Sequence, residues 1–466
     1  MLRPLPATAT SPMTDANLPF TQLLRHVFGN RRIAAMLLLG FSSGLPLALS
    51  AGTLQAWLTV EGASLKTIGL ATLIGQAYVF KFLWAPALDR VESPWLARRL
   101  GRRRAWLLPL QALLAACLGA IALVGVPDAA TLAQWPLLQQ IGAAAGLEPQ
   151  NLRLLPLVAL AVALAFASAS QDVVIDAYRT DLLPAEERGA GAAVLVLGYR
   201  LAMIVSGGLA LWLASTGLGW RGTYALMALL MLALMPVTLW APAPAGDLPA
   251  PRSLVQAVVD PAREFFSRRG AWLLLLAVVL YKLGDAFAGA LSTTFLLRGA
   301  GYTTAQVGLI YKTVGLLTTI AGALLGGGLL ARLGLWRALV LFGVAQGLSN
   351  LAYWALAVLP PQLAVMGAAV GIENFTAGMG TAAFVAFLSA LCDTRYSATQ
   401  FALLSALASV GRVYVGPLTG ALVAQWGWAH FYLFTVVASA PGVALLIWLR
   451  PVVDAQERAH APPAPA

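Results

Sequence analysis

Charge is what this chain has least of: 11% of its 466 residues are Asp, Glu, Lys or Arg, where a soluble domain carries about 25%. An ordinary soluble domain is thereby excluded. Metal and nucleophile chemistry is poorly provided for as well. The three histidines lie outside the apolar runs or near their ends and form no ligand cluster. Cys117 and Cys392 have no companion ligands, and no disulfide is expected between them. No G-x-x-x-x-G-K-[ST] phosphate loop occurs, so ATP is not hydrolysed by this chain. We expect no enzyme, no metal and no cofactor; uphill work must run on a gradient. Before Arg31 and Arg32 there is no continuous apolar run, so no cleaved signal peptide is expected and the first span serves as insertion signal.

Hydrophobic length fills the chain instead. Mean hydropathy is +0.78, and twelve stretches reach the roughly 20 residues that a membrane-spanning helix needs. They are 33–60, 66–87, 105–126, 154–178, 189–214, 223–242, 271–297, 304–330, 338–359, 362–391, 400–424 and 428–449. None alternates as a barrel strand would, so the expected fold is an all-α membrane bundle. The basic residues divide unequally between the two sets of loops. Twenty-one Lys and Arg fall in the N-terminal segment and every second loop after it, against Arg153, Arg221 and Arg298 in the opposite loops. This positive-inside bias puts both termini in the cytoplasm. It also explains the net charge of +11 without a nucleic-acid partner.

A Pro/Ala-rich break separates six spans from six. The expected organisation is a cytoplasmic segment 1–32, a six-helix bundle 33–242, a cytoplasmic linker 243–270, a second bundle 271–450 and a disordered cytoplasmic tail 451–466. In the linker, Leu254, Val258, Phe265 and Phe266 alternate with Asp260, Arg263 and Glu264, the pattern of a short amphipathic helix on a membrane surface. The external loop 127–153 has room for a short surface helix. Each half also carries a related turn between its second and third spans, Asp89-Arg90 with Gly101 in the first and Arg332 with Gly334 in the second. Glycine lets two helices approach there while arginines hold the cytoplasmic face. The pair resembles the turn G-x-L-x-D-R-x-G-R of the major facilitator superfamily, degenerate in each copy, and its recurrence marks an internal repeat.

Ionisable groups inside the spans are functional candidates, because hydrocarbon offers an ionised group no partner. Ser168, Asp172, Asp176 and Arg179 share one face of the fourth span. Asp172 lies about 15 Å from the cytoplasmic end at 1.5 Å per residue, close to the midplane, while the shallower Asp176 can pair with Arg179. Two acids one turn apart cannot both ionise cheaply, which makes Asp172 the better proton carrier. The competing reading gives Asp172 a permanent ion pair with Arg200 or Lys81 that only locks helices. Glu373 and Asp285 are further proton candidates, although Lys282 and Asp285, three apart, can satisfy each other.

For substrate, Tyr78 and Lys81 share a face and suit carboxylates and sugar rings; Lys81 can equally snorkel. Lys312 has no acid within one turn and must meet a wet cavity, another helix's acid or an anionic ligand. Gln55, Gln76, Gln171, Tyr281, Lys282, Asn374 and Arg412 complete the candidate binding set. Gly44 and Pro46 point to a broken first helix lending backbone groups to substrate, with close packing as the plainer alternative. Trp57 is expected to be an interfacial anchor.

Six long runs carry a family resemblance. They are GFSSGLPLALSAGTLQAW (40–57), LIGQAYVFKFLWAPALDR (73–90), SASQDVVIDAYRTDLLPAEERGAGAA (168–193), LGYRLAMIVSGGLALWLA (197–214), VLYKLGDAF (279–287) and SATQFALLSALASVGRVYVGP (397–417). The chain resembles the bacterial anhydromuropeptide permease (AmpG) family from about residue 30 to residue 449. That resemblance implies a major facilitator superfamily fold of 12 transmembrane helices in two six-helix halves. It implies proton-coupled import of GlcNAc-1,6-anhydroMurNAc-peptides from periplasm to cytoplasm across the inner membrane, serving peptidoglycan recycling and β-lactamase induction, hence antibiotic resistance. The family's SASQD acid falls on Asp172. The family pattern includes further C-terminal spans not seen here, and the 127–153 loop is longer than usual. We expect a monomer. Two other readings stand beside this one. A transporter of another amphiphilic anion, such as an acyl-coenzyme A, is separated by direct comparison of cargoes; a non-transporting membrane receptor is separated by absence of proton-dependent counterflow.

Overall fold

The computed structural model describes residues 30–90, 94–144, 149–184, 187–243, 254–268, 270–393 and 397–453. Among these the ordered elements are helices, with no strand. Helices prevail because lipid offers no partner to a backbone N–H or C=O, so each must be satisfied within its own segment. The first group is α1 (Arg31–Val60), α2 (residues 65–90), α3 (Arg102–Val124), α4 (Leu155–Leu182), α5 (Gly191–Ala214) and α6 (Gly219–Trp240). After the linker helix α7 (Leu254–Ser267) come α8 (Ala271–Gly299), α9 (Thr304–Leu333), α10 (Leu335–Val358), α11 (Leu363–Ala390) and α12 (Ser397–Trp448).

Nine helices among the described residues are long and apolar enough to cross a membrane. The nine differ from the expected twelve at three places. α2 is a succession of short pieces, Leu65–Ala71, Gln76–Phe80 and Ala85–Arg90, joined by 3-10 turns. α11 is continuous for 28 residues but carries Glu373 and Asn374 at its centre. α12 counts once, yet its backbone leaves the helical region at Gly427 (φ 72°, ψ 170°), between the expected spans 400–424 and 428–449.

Glycine decides how closely the helices approach. A Cβ on Gly40 would stand 2.1 Å from the Leu195 carbonyl oxygen, and one on Gly198 would stand 2.0 Å from that of Leu37. α1 and α5 therefore touch backbone to backbone. Gly322 and Gly378 do the same between α9 and α11, against Phe375 and Thr319. The expected break at Gly44 and Pro46 is corrected by this packing: α1 runs through both, Gly44 lies against Tyr199, and the helix breaks later, at Ala51 (φ −125°, ψ −102°). Trp57 is a second correction. It is 2% exposed and stacks on Trp220 at 5.7 Å, with Tyr224 at 5.2 Å, because α6 covers this end of α1.

Gly101 (φ 81°, ψ 155°) and Gly334 (φ 77°, ψ 164°) open α3 and α10 with one backbone conformation, one that glycine alone adopts without strain. Arg332 ends α9 exposed. The side chains of Asp89 and Arg90 lie outside the described residues. The linker forms the expected helix, but α7 is tied to the bundle: Arg268 pairs with Glu264 at 2.7 Å and donates to the Leu391 carbonyl, and Gln400 donates to Glu264 at 2.5 Å. The hydrogen bonds from Arg268 hold the Glu264 carboxyl below the usual carboxylate range. The 127–153 loop holds three short helices, Ala129–Ala133, Pro136–Ala144 and Pro149–Leu152.

Candidate functional site

The break at Ala51 turns Gly52 and Gln55 toward a cavity of about 270 Å³ where α1, α2, α8, α9 and α12 meet. Tyr78, Tyr311, Lys312 and Arg412 also face it. Lys312 Nζ lies 4.5 Å from the centre of the Tyr311 ring, and the Tyr311 hydroxyl shares a 2.6 Å hydrogen bond with Ser292. Gln55 Nε2 donates to the Ala290 carbonyl at 2.8 Å. Neither Lys312 nor Arg412 has a carboxylate within ion-pair distance among the described residues. Around Lys312 the α9 backbone winds as a π-helix over Val307–Val314, facing a second π-segment, Ile204–Leu209, in α5. Such turns recur at functional sites, since one wider turn rotates the following side chains.

Asp172 does not line this cavity but stands at a junction of α1, α2 and α4. It is 8% exposed, lies 3.6 Å from Lys81 Nζ and accepts a hydrogen bond from Ser43. Lys81, not Arg200, is its partner. Asp176 pairs with Arg179 at 3.7 Å, as the i,i+3 spacing predicts. Gln171 is buried beside them and donates to the Ser42 carbonyl at 2.9 Å, tying α4 to α1.

A second polar cluster lies within α8, α10 and α11. Lys282 Nζ is 3.7 Å from Asp285, 3.4 Å from Gln346 Oε1 and 3.3 Å from the Thr381 hydroxyl. Glu373 and Arg412 are also near enough to act on Lys282 electrostatically. The Glu373 carboxylate accepts a 2.7 Å hydrogen bond from Asn374, which is itself held by Thr319.

The structure thus brings Gln55, Tyr78, Lys312 and Arg412 of the expected binding set to one cavity. Lys81 and Lys282 are engaged by acids. Gln76 opens instead on a separate, mostly apolar groove with Leu70, Val162 and Phe166. Gln171 and Asn374 serve as ties between or within helices. Tyr281 is buried, stacked on Phe384 at 5.5 Å, with its hydroxyl on the Leu339 carbonyl. Ser43, Ser292 and Arg298 escape the sequence reading; small hydroxyls inside apolar spans were the available signal for the first two.

Arg298 belongs to a closure at the end of the bundle away from the Arg-rich turns. Its guanidinium donates to the Ala63 carbonyl at 2.6 Å and to that of Thr59, while the Thr59 and Thr294 hydroxyls meet at 2.8 Å. Gly69 packs on Gly416, and Gly420 on Leu65, with the same backbone-to-backbone closeness. These contacts join the first helix group to the second and cap the cavity.

Two groups of membrane helices, closed at one end over a cation-lined cavity, define a multi-pass membrane transporter. Residues 95–414 match the Major Facilitator Superfamily. Among solved structures, the chain resembles the nucleoside transporter NupG with a TM-score of 0.63, at 14% identity, covering 92% of this chain and 99% of that one. It resembles an inward-facing, unoccupied bacterial homologue of the human lysosomal transporter Spinster with a TM-score of 0.61, at 16% identity, covering 92% and 98%. Such identities speak for the fold alone. In sequence it is 55% identical to the anhydromuropeptide permease of Escherichia coli (strain K12) over 434 residues, 93% of this chain and 82% of that protein. It is 31% identical over 438 residues to putative transporter AmpG 4 of Rickettsia felis, covering 93% of this chain and all of that one. The chain belongs to the major facilitator superfamily and, within it, to the anhydromuropeptide permease family.

Proposed function

We propose that this chain imports 1,6-anhydromuropeptides (GlcNAc-anhydroMurNAc-peptides) from periplasm to cytoplasm by proton symport, for peptidoglycan recycling and β-lactamase induction. The observation that carries the cargo class is a pair of cations, Lys312 and Arg412, that lack carboxylate partners among the described residues and lie beside Tyr78 and Gln55 on one cavity. Cations suit the stem-peptide carboxylates, an aromatic ring suits a sugar face, and an amide suits N-acetyl groups. The 55% identity to a relative named for that cargo supports the same reading.

In this proposal twelve spans form two halves, 33–242 and 271–450, in the bacterial inner membrane, with both termini cytoplasmic and the closed end periplasmic. The protein works as a monomer with no cofactor beyond the proton. Turns at Asp89, Arg90, Gly101, Arg332 and Gly334 pivot the halves. Asp172 accepts a periplasmic proton; once neutral it releases Lys81 and loosens the irregular α2. Glu373 and Asp285, around Lys282, form a second proton-accepting group. One charge crossing 100 mV is worth about 2.3 kcal/mol, enough for a gradient of roughly fifty-fold.

Proteoliposome uptake of radiolabelled anhydromuropeptide, with acyl-coenzyme A as the competing cargo, tests the proposal. Accumulation of the muropeptide alone, dependent on an acidic exterior, is the expected result. Equal uptake with and without the pH gradient removes proton symport, and uptake of acyl-coenzyme A alone overturns the cargo.

A further inference from the structure

Lys312 is built into the joint between the two helix groups as well as into the cavity. It projects from the second group, on α9, into a slot whose walls belong to the first. A Cβ on Gly52 of α1 would stand 2.8 Å from its Nζ, one on Gly207 of α5 would stand 3.4 Å from its Cδ, and one on Gly208 would stand 3.4 Å from its Cβ. Gly208 and Gly308 meet backbone to backbone beneath it: a Cβ on Gly308 would stand 2.6 Å from the Gly208 carbonyl oxygen. A side chain at Gly52 displaces the ammonium, one at Gly208 presses on the Gly308 carbonyl oxygen at 3.1 Å, and one at Gly207 comes into contact with the lysine stem. The slot exists only while the two groups are in contact at this end, because each supplies part of it.

We infer that Lys312 makes closure of this end conditional on an anionic group in the cavity. Closing inserts an ammonium that has no carboxylate within ion-pair distance among the described residues, and an enclosed charge without such a partner is destabilising. A cargo carboxylate at the Gly52 end of the slot supplies the missing partner through a charge-assisted hydrogen bond. An uncharged cargo leaves the ammonium unpaired, and closure over it is disfavoured. Gly52, Gly207 and Gly208 are then positioning residues: they hold Nζ at the cavity wall. This rests on the functional reading above and adds which chemical group the cargo must present and where.

The test compares anhydromuropeptide bearing free stem carboxylates with its carboxamide derivative. Uptake is measured in proteoliposomes for the wild type, Lys312→Gln, Gly52→Ala and, as a comparator, Gly119→Ala, whose Cβ meets nothing within 4 Å. In the wild type the free acid should have a KM about tenfold lower than the amide, on the scale of one charge-assisted hydrogen bond. Lys312→Gln should erase that preference, so that the KM values of the two cargoes agree within about threefold. Gly52→Ala should raise KM for the acid alone, and Gly119→Ala should behave as wild type. A wild type that carries both cargoes equally, or a Lys312→Gln variant that keeps the tenfold preference, overturns the inference and leaves the functional reading intact. A wild type that carries neither overturns the functional reading itself. Should Lys312→Gln fail to fold, the Gly52→Ala result decides.

Discussion

Asp172 illustrates how much depends on one side chain at membrane depth. Its partners are Lys81 at 3.6 Å and the Ser43 hydroxyl, so the ion pair and the proposed proton-carrying role fall on the same atoms. They are separable by experiment. Asp172→Asn should abolish uphill accumulation while leaving the amount of protein in the membrane unchanged, as read by uptake under a pH gradient alongside an immunoblot. Undiminished accumulation by this variant removes the proton role. The pair itself predicts a thermodynamic cycle. Lys81→Gln strands a buried carboxylate and should destabilise by up to about 3 kcal/mol, less than a fully buried pair because Lys81 is partly exposed. Asp172→Asn in the same molecule should restore most of that loss. Thermal unfolding in detergent gives both numbers, and strictly additive losses would show that the two groups do not interact.

At the level of elements, glycine and one carboxylate set the predictions. Gly198→Ala places a Cβ 2.0 Å from the Leu37 carbonyl oxygen, a backbone obstruction that no rotamer relieves. It should cost about 1–3 kcal/mol and lower the melting temperature; an unchanged value means α1 and α5 separate easily. The linker helix α7 offers a pH test. Arg268 holds the Glu264 carboxyl below its ordinary range, so the stabilisation of α7 docking is complete above the unfolded value of about 4.3. It is lost as pH falls through the lowered, docked-state value. Hydrogen exchange in α7 should therefore accelerate in acid, after correction for intrinsic rates, and Glu264→Gln should be unprotected already at neutral pH. Protection that ignores both acid and substitution means α7 is held by its apolar contacts alone.

For the whole molecule, the capped end must open for cargo to enter from that side. The Thr59 and Thr294 hydroxyls, 2.8 Å apart, come from the two helix groups and are well placed for a cross-link. A Thr59→Cys, Thr294→Cys pair should lose uptake on oxidation and regain it with reductant, since the native Cys117 and Cys392 are both buried. Full uptake by the oxidised pair would mean that this end does not separate during transport.

Much of this was legible in the chain itself. Apolar length, scarce charge and Arg-rich turns fix the helices and their membrane setting, because lipid leaves the backbone no other solution. Helical spacing likewise placed Asp176 beside Arg179 and Lys282 beside Asp285. The long motif runs placed the chain in its family. What the sequence could not decide is which faces of different helices meet. Only the tertiary structure chose Lys81 over Arg200 for Asp172, drew Trp57 inside against Trp220, sent Gln76 to an apolar groove and set Lys312 in a glycine slot. A period of 3.6 residues dictates neighbours within a helix; neighbours between helices follow from packing, and in this protein from where glycines let two backbones touch.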